Sequence, residues 1–347
     1  MAIESRGSSG AVPTCTVAIP VFNRRDMVLR AVASALAQSV SALEVLVVDN
    51  CSTDGTWEAL QGLEDPRVRL VRNTQNVGLF GNFNRCLELA RGEYLRFLCS
   101  DDELAPDCLL GEVADMAANP TAVLLSTTAR RRASTGEVLG THADHFPPGL
   151  YAGVAAIAGI LWFRGEYAYN PLNYPSGILL HTATARQAGR FDETMRMAAD
   201  LDFFFRVLMS GDLLIVDRPG CDLTIHPAQE GASLNGRVEV MEEEYLLLQR
   251  FGALLGSPRD LRRVTDQMGG LCLRFALGGW RRGNRESARR HLALARAHGS
   301  GLFAAAMACL RILTVRSLLR LGVRRLPKGM RTVRSVSRSP MRLLAES

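Results

Sequence analysis

Residues 92–102 read GEYLRFLCSDD, and the fold turns on how that stretch is read. Glu93 to Leu98 is a short, mostly apolar run of strand length, and Ser100-Asp101-Asp102 stops it. A strand of this kind suits a sheet covered on both faces, with polar residues at its carboxyl end. Upstream, TCTVAIP (Thr14 to Pro20) and EVLVVD (Glu44 to Asp49) have the same character. Val68 to Val71 reads as a third strand and Ala122 to Ser126 as a fifth. Helices fit between them: one capped by Asp26 and running to about Gln38, one capped by Asp54, one over Gly78 to Arg91, and one from near Pro106 to Asn119.

This alternation, with short links, predicts an α/β fold: a Rossmann-like, mostly parallel central sheet flanked by helices. Ligands of such sheets bind beyond the carboxyl ends of the strands. The chain places Asn23, Asp49-Asn50 and Asp101-Asp102 at those ends. From Arg130 to Pro175 the pattern weakens into a glycine-, proline- and aromatic-rich stretch, as in a long lid or acceptor loop. Gly177 to His181 reads as a further strand, and Leu201 to Met209 as a helix with Asp200 at its start. Three regions follow: a disordered N-terminus over 1–12, an α/β domain over 13–230, and a helical region with a basic amphipathic tail over 231–347.

Composition narrows the function. With 47% hydrophobic and 22% charged residues in 347, a sizeable core is available and global disorder is excluded. Eight cysteines without a CxxC pair point to reduced thiols and a cytoplasmic protein. The net charge of +6 is uneven: Arg311 to Ser347 holds ten basic residues and one acidic, a net of +9, which leaves −3 for the rest. That distribution argues against a nucleic-acid partner for the folded body. Lys328, in the tail, is the only lysine, which excludes a P-loop or a Schiff-base enzyme. No apolar leader stands at the N-terminus. Gly153 to Phe163 is too short to span a bilayer, and Arg311, Arg316 and Arg320 interrupt Gly301 to Val323.

Seven ordered blocks carry a resemblance. They are VAIPVFNR (Val17 to Arg24), SALAQS (Ser34 to Ser39), VVDNCSTDGT (Val47 to Thr56), NVGLFGNFN (Asn76 to Asn84), GEYLRFLCSDD (Gly92 to Asp102), GRFDE (Gly189 to Glu193) and ADLDFFFR (Ala199 to Arg206). In order and spacing, the first 230 residues resemble the family-2 glycosyltransferases of the GT-A fold. That resemblance implies metal-dependent, inverting transfer of a sugar from a nucleoside-diphosphate sugar to a hydroxyl acceptor. A UDP-sugar is its default donor, and a glycan or lipid-linked glycan its acceptor class.

The resemblance assigns donor binding to Pro20, Phe22, Asn23, Asp49, Asn76, Asn84 and Asp101. Asp49 can accept a hydrogen bond from a pyrimidine ring N–H, or simply shape an Asx turn; Asp54 fits a helix cap. Adjacent carboxylates at Asp101 and Asp102 repel unless a hard cation such as Mn²⁺ or Mg²⁺ joins them to phosphate oxygens. By resemblance Asp102 is the metal ligand and Asp101 the ribose contact, and His226, in TIHPAQEGAS, completes the metal or diphosphate site. Where the family often has an acid two positions before Asp101, this chain has Cys99; where it commonly has Glu-Asp, this chain has Ala199-Asp200. Asp200 is the candidate base, held by the helix that follows. Asp192 reads as structural, Asp202 as pointing elsewhere, and Phe203 to Phe205 as core, while Trp162, Tyr167, Tyr169 and Tyr174 are candidates to stack on a sugar. One base implies a single displacement.

Around Leu310 to Leu326, Arg316, Arg320 and Arg324 fall opposite Val315, Leu318, Leu319 and Val323. Such a helix binds an anionic membrane surface, giving peripheral attachment, or packs on the protein with its arginines solvated. Two other readings stay open. A nucleotide-sugar-binding protein without turnover is suggested by Cys99 and Ala199, and a basic membrane- or nucleic-acid-binding module by the tail.

Overall fold

The computed structural model describes residues 3–5, 12–142, 146–167, 172–226, 229, 238–298 and 306. The basic helix expected around Leu310 to Leu326 lies outside them, as do Tyr169 and the side chain of Tyr167. The chain divides into two compact units, Met1–Gly153 with Leu172–Gln229, and Val154–Pro171 with Glu230–Ser347.

The first unit opens with β1 (Ile3–Ser5), β2 (Cys15–Val21), α1 (Arg25–Leu36), β3 (Leu43–Asp49), α2 (Thr56–Gln61) and β4 (Val68–Arg72). It continues through α3 (Leu79–Leu89), β5 (Tyr94–Phe97), β6 (Glu103–Leu104), α4 (Cys108–Ala118), β7 (Ala122–Ala133), β8 (Val138–His142) and β9 (Gly149–Tyr151). After α5 (Gly153–Tyr167) come a 3-10 turn (Pro175–Gly177), β10 (Ile178–His181), α6 (Thr182–Gln187), α7 (Ala199–Leu208) and β11 (Asp212–Ile225). One mixed sheet runs in the order β1-β4-β3-β2-β5-β10-β7-β11-β6, with β8 on β7 and β9 on β11. Its centre, β4-β3-β2-β5, is parallel, and β7 and β11 form a second parallel pair beyond the antiparallel β10. The expected α/β architecture with a mostly parallel core is therefore the observed one.

β2 and β3 are buried along their whole length, which explains their unbroken apolar sequence. Val17, Ile19, Val45, Val47 and Leu98 form the core with Val28 and Val32 of α1. Gly92 enters β5 so close to the neighbouring backbone that an added Cβ would stand 2.4 Å from Thr16 N. Only glycine fits there.

Some boundaries differ from the sequence reading, for local reasons. Asp26 lies inside the first turn of α1, because Arg24 takes the cap position. Ile3–Ser5 pairs with β4 where a disordered N-terminus is expected. The 14-residue β11 is missed because Asp217, Arg218, Pro219 and Gly220 interrupt its apolar pattern. Register shifts on either side of Pro219 absorb that interruption and keep the strand in the sheet.

The second unit is helical: α8 (Val238–Phe251), a 3-10 turn (Gly252–Leu255), α9 (Pro258–Arg281) and α10 (Arg285–His298). Trp162 of α5 belongs to its core with Met241, Tyr245, Leu248, Met268 and Leu271, and Arg263 lies over the Trp162 ring. That corrects the expectation of Trp162 as a sugar platform: its indole is used in packing. No helix among the described residues is long and apolar enough to cross a membrane.

Candidate functional site

Parallel register brings the strand ends together. Val21 pairs with Asp49 and Asp49 with Arg72, while β5 runs beside β2. Asn23, Asp49 and the residues after Phe97 therefore emerge at one edge of the sheet.

On the β2–β4 side that edge is a closed polar network. Asn23 adopts a left-handed φ of 51°. Its N–H donates to Ser52 Oγ at 2.9 Å, and its Oδ1 accepts from Thr53 N at 2.8 Å. Asp49 accepts from Ser52 N at 3.1 Å and pairs with Arg72 Nε at 3.2 Å, its carboxylate wholly buried. The turn role weighed for Asp49 is thus present, and Arg72 also donates to Ser52 O. Asn50 donates to Asn76 Oδ1 at 2.8 Å and Gly78 O at 3.1 Å, and accepts from Asn73 and from Val77 N, each at 3.0 Å. Pro20 is buried in β2 and Phe22 is 42% exposed beyond it.

Asn84 stands apart from the other residues expected at the donor. Its amide donates to Phe191 O (3.1 Å) and Glu193 Oε1 (2.8 Å) and accepts from Phe191 N (2.7 Å). These bonds tie α3 to the GRFDE turn, a structural use of the side chain.

Beyond β5 the edge is acidic. β6 begins at Glu103, immediately after Asp102, and pairs antiparallel with β11, Asp222 opposite Glu103. This pairing delivers the far end of β11 to the two aspartates. Thr224 N donates to Asp102 Oδ1 at 3.0 Å, and His226 Nε2 meets Asp101 Oδ2 at 2.9 Å. Ser176, on the 3-10 turn before β10, donates to Asp102 Oδ2 at 2.6 Å. This contact brings His226 to the carboxylate pair. Burial, and then the charge of Asp101, push the Asp102 carboxyl up to about 8.

The contrast with other buried acids is informative. Among the described residues seven carboxylates are buried: Glu44, Asp49, Asp102, Glu112, Asp202, Asp222 and Glu244. Arginines pair with six of them: Arg69, Arg72, Arg96, Arg206, Arg130 with Arg132, and Arg164 respectively. Asp102 is the exception. Its partners are a hydroxyl and an amide, and its neighbour is another aspartate. A buried charge normally has a counter-charge or a metal.

The donor set fits a divalent ion. One ligand atom each from Cys99, Asp101 and Asp102 lie within 4.8 Å of one another. An ion with metal–ligand bonds of about 2.0–2.3 Å spans such a gap with small adjustments. Asp200 belongs to the same neighbourhood, since its charge acts on the Cys99 thiol together with those of Asp102 and Asp101. It stands in the first turn of α7, its Oδ1 accepting from Leu201 N at 2.7 Å. Asp202 points away to Arg206, and Phe203, Phe204 and Phe205 are wholly buried, as expected. Asp192 closes a turn through Thr194. Tyr174 is 46% exposed, two residues before Ser176, with its ring against His142.

Sequence reasoning missed Ser176 and Thr224. Ser176 hides in a loop with no pattern, and Thr224 acts through its backbone, so only the topology reveals either.

The family model described as Glycosyl transferase family 2 matches residues 16–175. The succinoglycan biosynthesis protein ExoO of Rhizobium meliloti (strain 1021) is 32% identical over 214 residues, covering 59% of this chain and 59% of that protein. The chain thus spans about three-fifths of that relative's length. Among solved structures, S. aureus TarS 1–349 in complex with UDP-GlcNAc aligns with a TM-score of 0.56 at 16% identity, over 82% of this chain and 92% of its own. Mannosyltransferase PcManGT from Pyrobaculum calidifontis, in complex with GDP-Man and Mn²⁺, aligns with a TM-score of 0.52 at 20% identity, over 95% and 85% respectively. These structural likenesses establish the fold.

Proposed function

We propose, on the premise that residues 16–175 of this chain belong to glycosyl transferase family 2, that the protein transfers a sugar from a nucleoside diphosphate to a hydroxyl group of a glycan. The catalytic domain in this reading is the 13–230 region without 154–171, which belongs to the helical unit. The observation that carries it is Asp102, the one buried carboxylate among the described residues without an arginine, set beside Asp101.

Asp200 acts as the base. As an acceptor oxygen bonds to the anomeric carbon, its proton passes to the Asp200 carboxylate, and the pair from the breaking C–O bond leaves with the diphosphate. One displacement inverts the anomeric centre. Asp102 and Asp101 would hold Mn²⁺ or Mg²⁺, whose charge offsets that of the departing diphosphate. His226 keeps Asp101 oriented towards the cluster and the ribose. Asn23, Asp49 and Asn76 face the nucleoside end. Asp49 retains acceptor capacity for a pyrimidine N–H beyond its bonds to Ser52 and Arg72. A uridine donor suits that contact. Tyr174, exposed and two residues before Ser176, is assigned to the acceptor.

The naming of ExoO for succinoglycan biosynthesis supports a polysaccharide or lipid-linked glycan acceptor here. A cytoplasmic protein attached through the basic arm at 310–326 suits a lipid-linked substrate. Anionic liposomes should then recover the full chain and not one cut after residue 300; equal recovery of both ends that part of the reading.

A thermal-shift screen of nucleoside diphosphates and their sugars, with and without Mn²⁺, tests the donor. Stabilisation by a UDP-sugar that needs Mn²⁺ is the expected result. If no nucleoside diphosphate raises the melting temperature under any condition, the donor reading is wrong.

A further inference from the structure

We propose that Cys99 is itself a ligand of the metal, making the centre a mixed sulfur–oxygen site that prefers Mn²⁺, Co²⁺ or Cd²⁺ to Mg²⁺. This deepens the reading above and rests on its metal centre.

The geometry begins with Ser176. Cys99 N–H donates to Ser176 Oγ at 3.0 Å, and the same hydroxyl donates to Asp102 Oδ2 at 2.6 Å. An amide can only donate, so the hydroxyl hydrogen is committed to Asp102. One wholly buried side chain therefore sets the backbone of Cys99 and the carboxylate of Asp102 together. Its 3-10 turn is closed by Gly177 N on Tyr174 O at 2.8 Å. A Cβ at Gly177 would collide with the Asn173 amide, so the turn is tightly packed. With Ser176 on one oxygen and Thr224 N on the other, the Asp102 carboxyl is held in one orientation.

Into this frame the Cys99 side chain brings sulfur within 4.8 Å of ligand oxygens of both Asp101 and Asp102. It is half-buried, and it is the one cysteine among the described residues grouped with carboxylates in this way. Cys15, Cys86, Cys108, Cys221 and Cys272 are buried elsewhere, and Cys51 points to Thr74 O. Two carboxylates beside the sulfur favour a cation there, and on coordination the S–H proton leaves to solvent as the sulfur–metal bond forms. Mg²⁺ demands oxygen ligands in near-ideal octahedral geometry, whereas later divalent ions accept sulfur and nitrogen. The chain thus offers sulfur where an all-oxygen centre would have a third carboxylate.

The test is spectroscopic and independent of turnover. The full chain is titrated with Co²⁺ while thiolate-to-cobalt charge-transfer absorption is recorded, and Mn²⁺ binding is followed by its EPR signal. One equivalent of Co²⁺ should produce the band in the wild type. Cys99→Ser should lose it and improve Mg²⁺ binding relative to Mn²⁺, and Cys99→Asp should bind Mn²⁺ with no band. Ser176→Ala should keep the band at saturation but need about 10–100-fold more Co²⁺. Circular dichroism establishes that each variant is folded. A wild type that binds Mn²⁺ without showing the Co²⁺ band, or a band that survives in Cys99→Ser, overturns the sulfur ligand and leaves the metal centre standing. A wild type that binds neither ion overturns both.

Discussion

Asp49 and Asp102 are both buried aspartates at the carboxyl edge of the same parallel strands, and they are treated in opposite ways. Asp49 ends β3 with Arg72 and Ser52 N on its carboxylate. Asp102 follows β5 with only Ser176 and Thr224 N, and with Asp101 adding to its charge. One half of the edge is neutralised by arginine, and the other is not. On the proposed function, a cation offsets the second half, so that stability and chemistry are separated along a single edge.

The sharpest way to break that comparison is at the reactive half. Asp200→Asn should cut turnover about 10²–10⁴-fold, the usual worth of a positioned base, while calorimetry still detects donor binding. Asp102→Asn should lose Mn²⁺-dependent donor binding as well as turnover, with a melting temperature equal to or above that of the wild type. The amide replaces a carboxyl whose ionisation burial and Asp101 disfavour. An Asp200→Asn enzyme as fast as wild type removes the base assignment.

Carboxylates paired with arginine should behave in reverse. Arg96 and Glu112 form a pair with neither side chain exposed, and Arg96 also donates to Gly220 O. Arg96→Met strands the Glu112 charge, so unfolding in urea should become easier by about 3–5 kcal/mol. Asp49→Asn keeps the shape and loses the charge opposite Arg72, and about 1–3 kcal/mol is the expected cost. If Asp102→Asn proves more destabilising than Arg96→Met, the division between paired and unpaired buried carboxylates is lost.

Much of this was legible in the sequence because the parallel strands are buried and so carry unbroken apolar runs that end in polar residues. Asp101, Asp102 and Asp200 are readable for that reason, each standing at a strand end or a helix start. Three things were not readable. β11 carries charged residues, proline and glycine in mid-strand, so its contribution of Thr224 and His226 to the site depends on tertiary pairing. Ser176 has no periodic context at all. Asn84 looks like a ligand residue within a recognisable block, yet its amide serves the Phe191 turn. Trp162 misleads for the related reason that an aromatic in a loop-like stretch reads as a binding surface until its packing is known.

The smallest expected effect concerns Asp54, which sits beside the neutralised half and serves the start of α2. Its Oδ1 accepts from Thr56 N at 3.0 Å and its Oδ2 from Arg25 N at 3.4 Å. Partial burial pushes its carboxyl up, but the bonds from Thr56 and Arg25 outweigh that and hold it below the ordinary aspartate value. Asp54→Ala should therefore cost about 1 kcal/mol, the worth of a helix-end acceptor, with donor affinity unchanged. The sign with pH follows from the lowered value. The folded state binds the Asp54 proton less readily than the unfolded chain, so the contribution is complete above about pH 4 and fades as the pH falls through the folded-state value. Denaturation of wild type and variant at neutral and strongly acidic pH should show the gap closing at the acid end. A gap that widens there would mean that Asp54 stabilises the turn in its protonated form, and that the neutralised half of the edge depends on something other than paired charge.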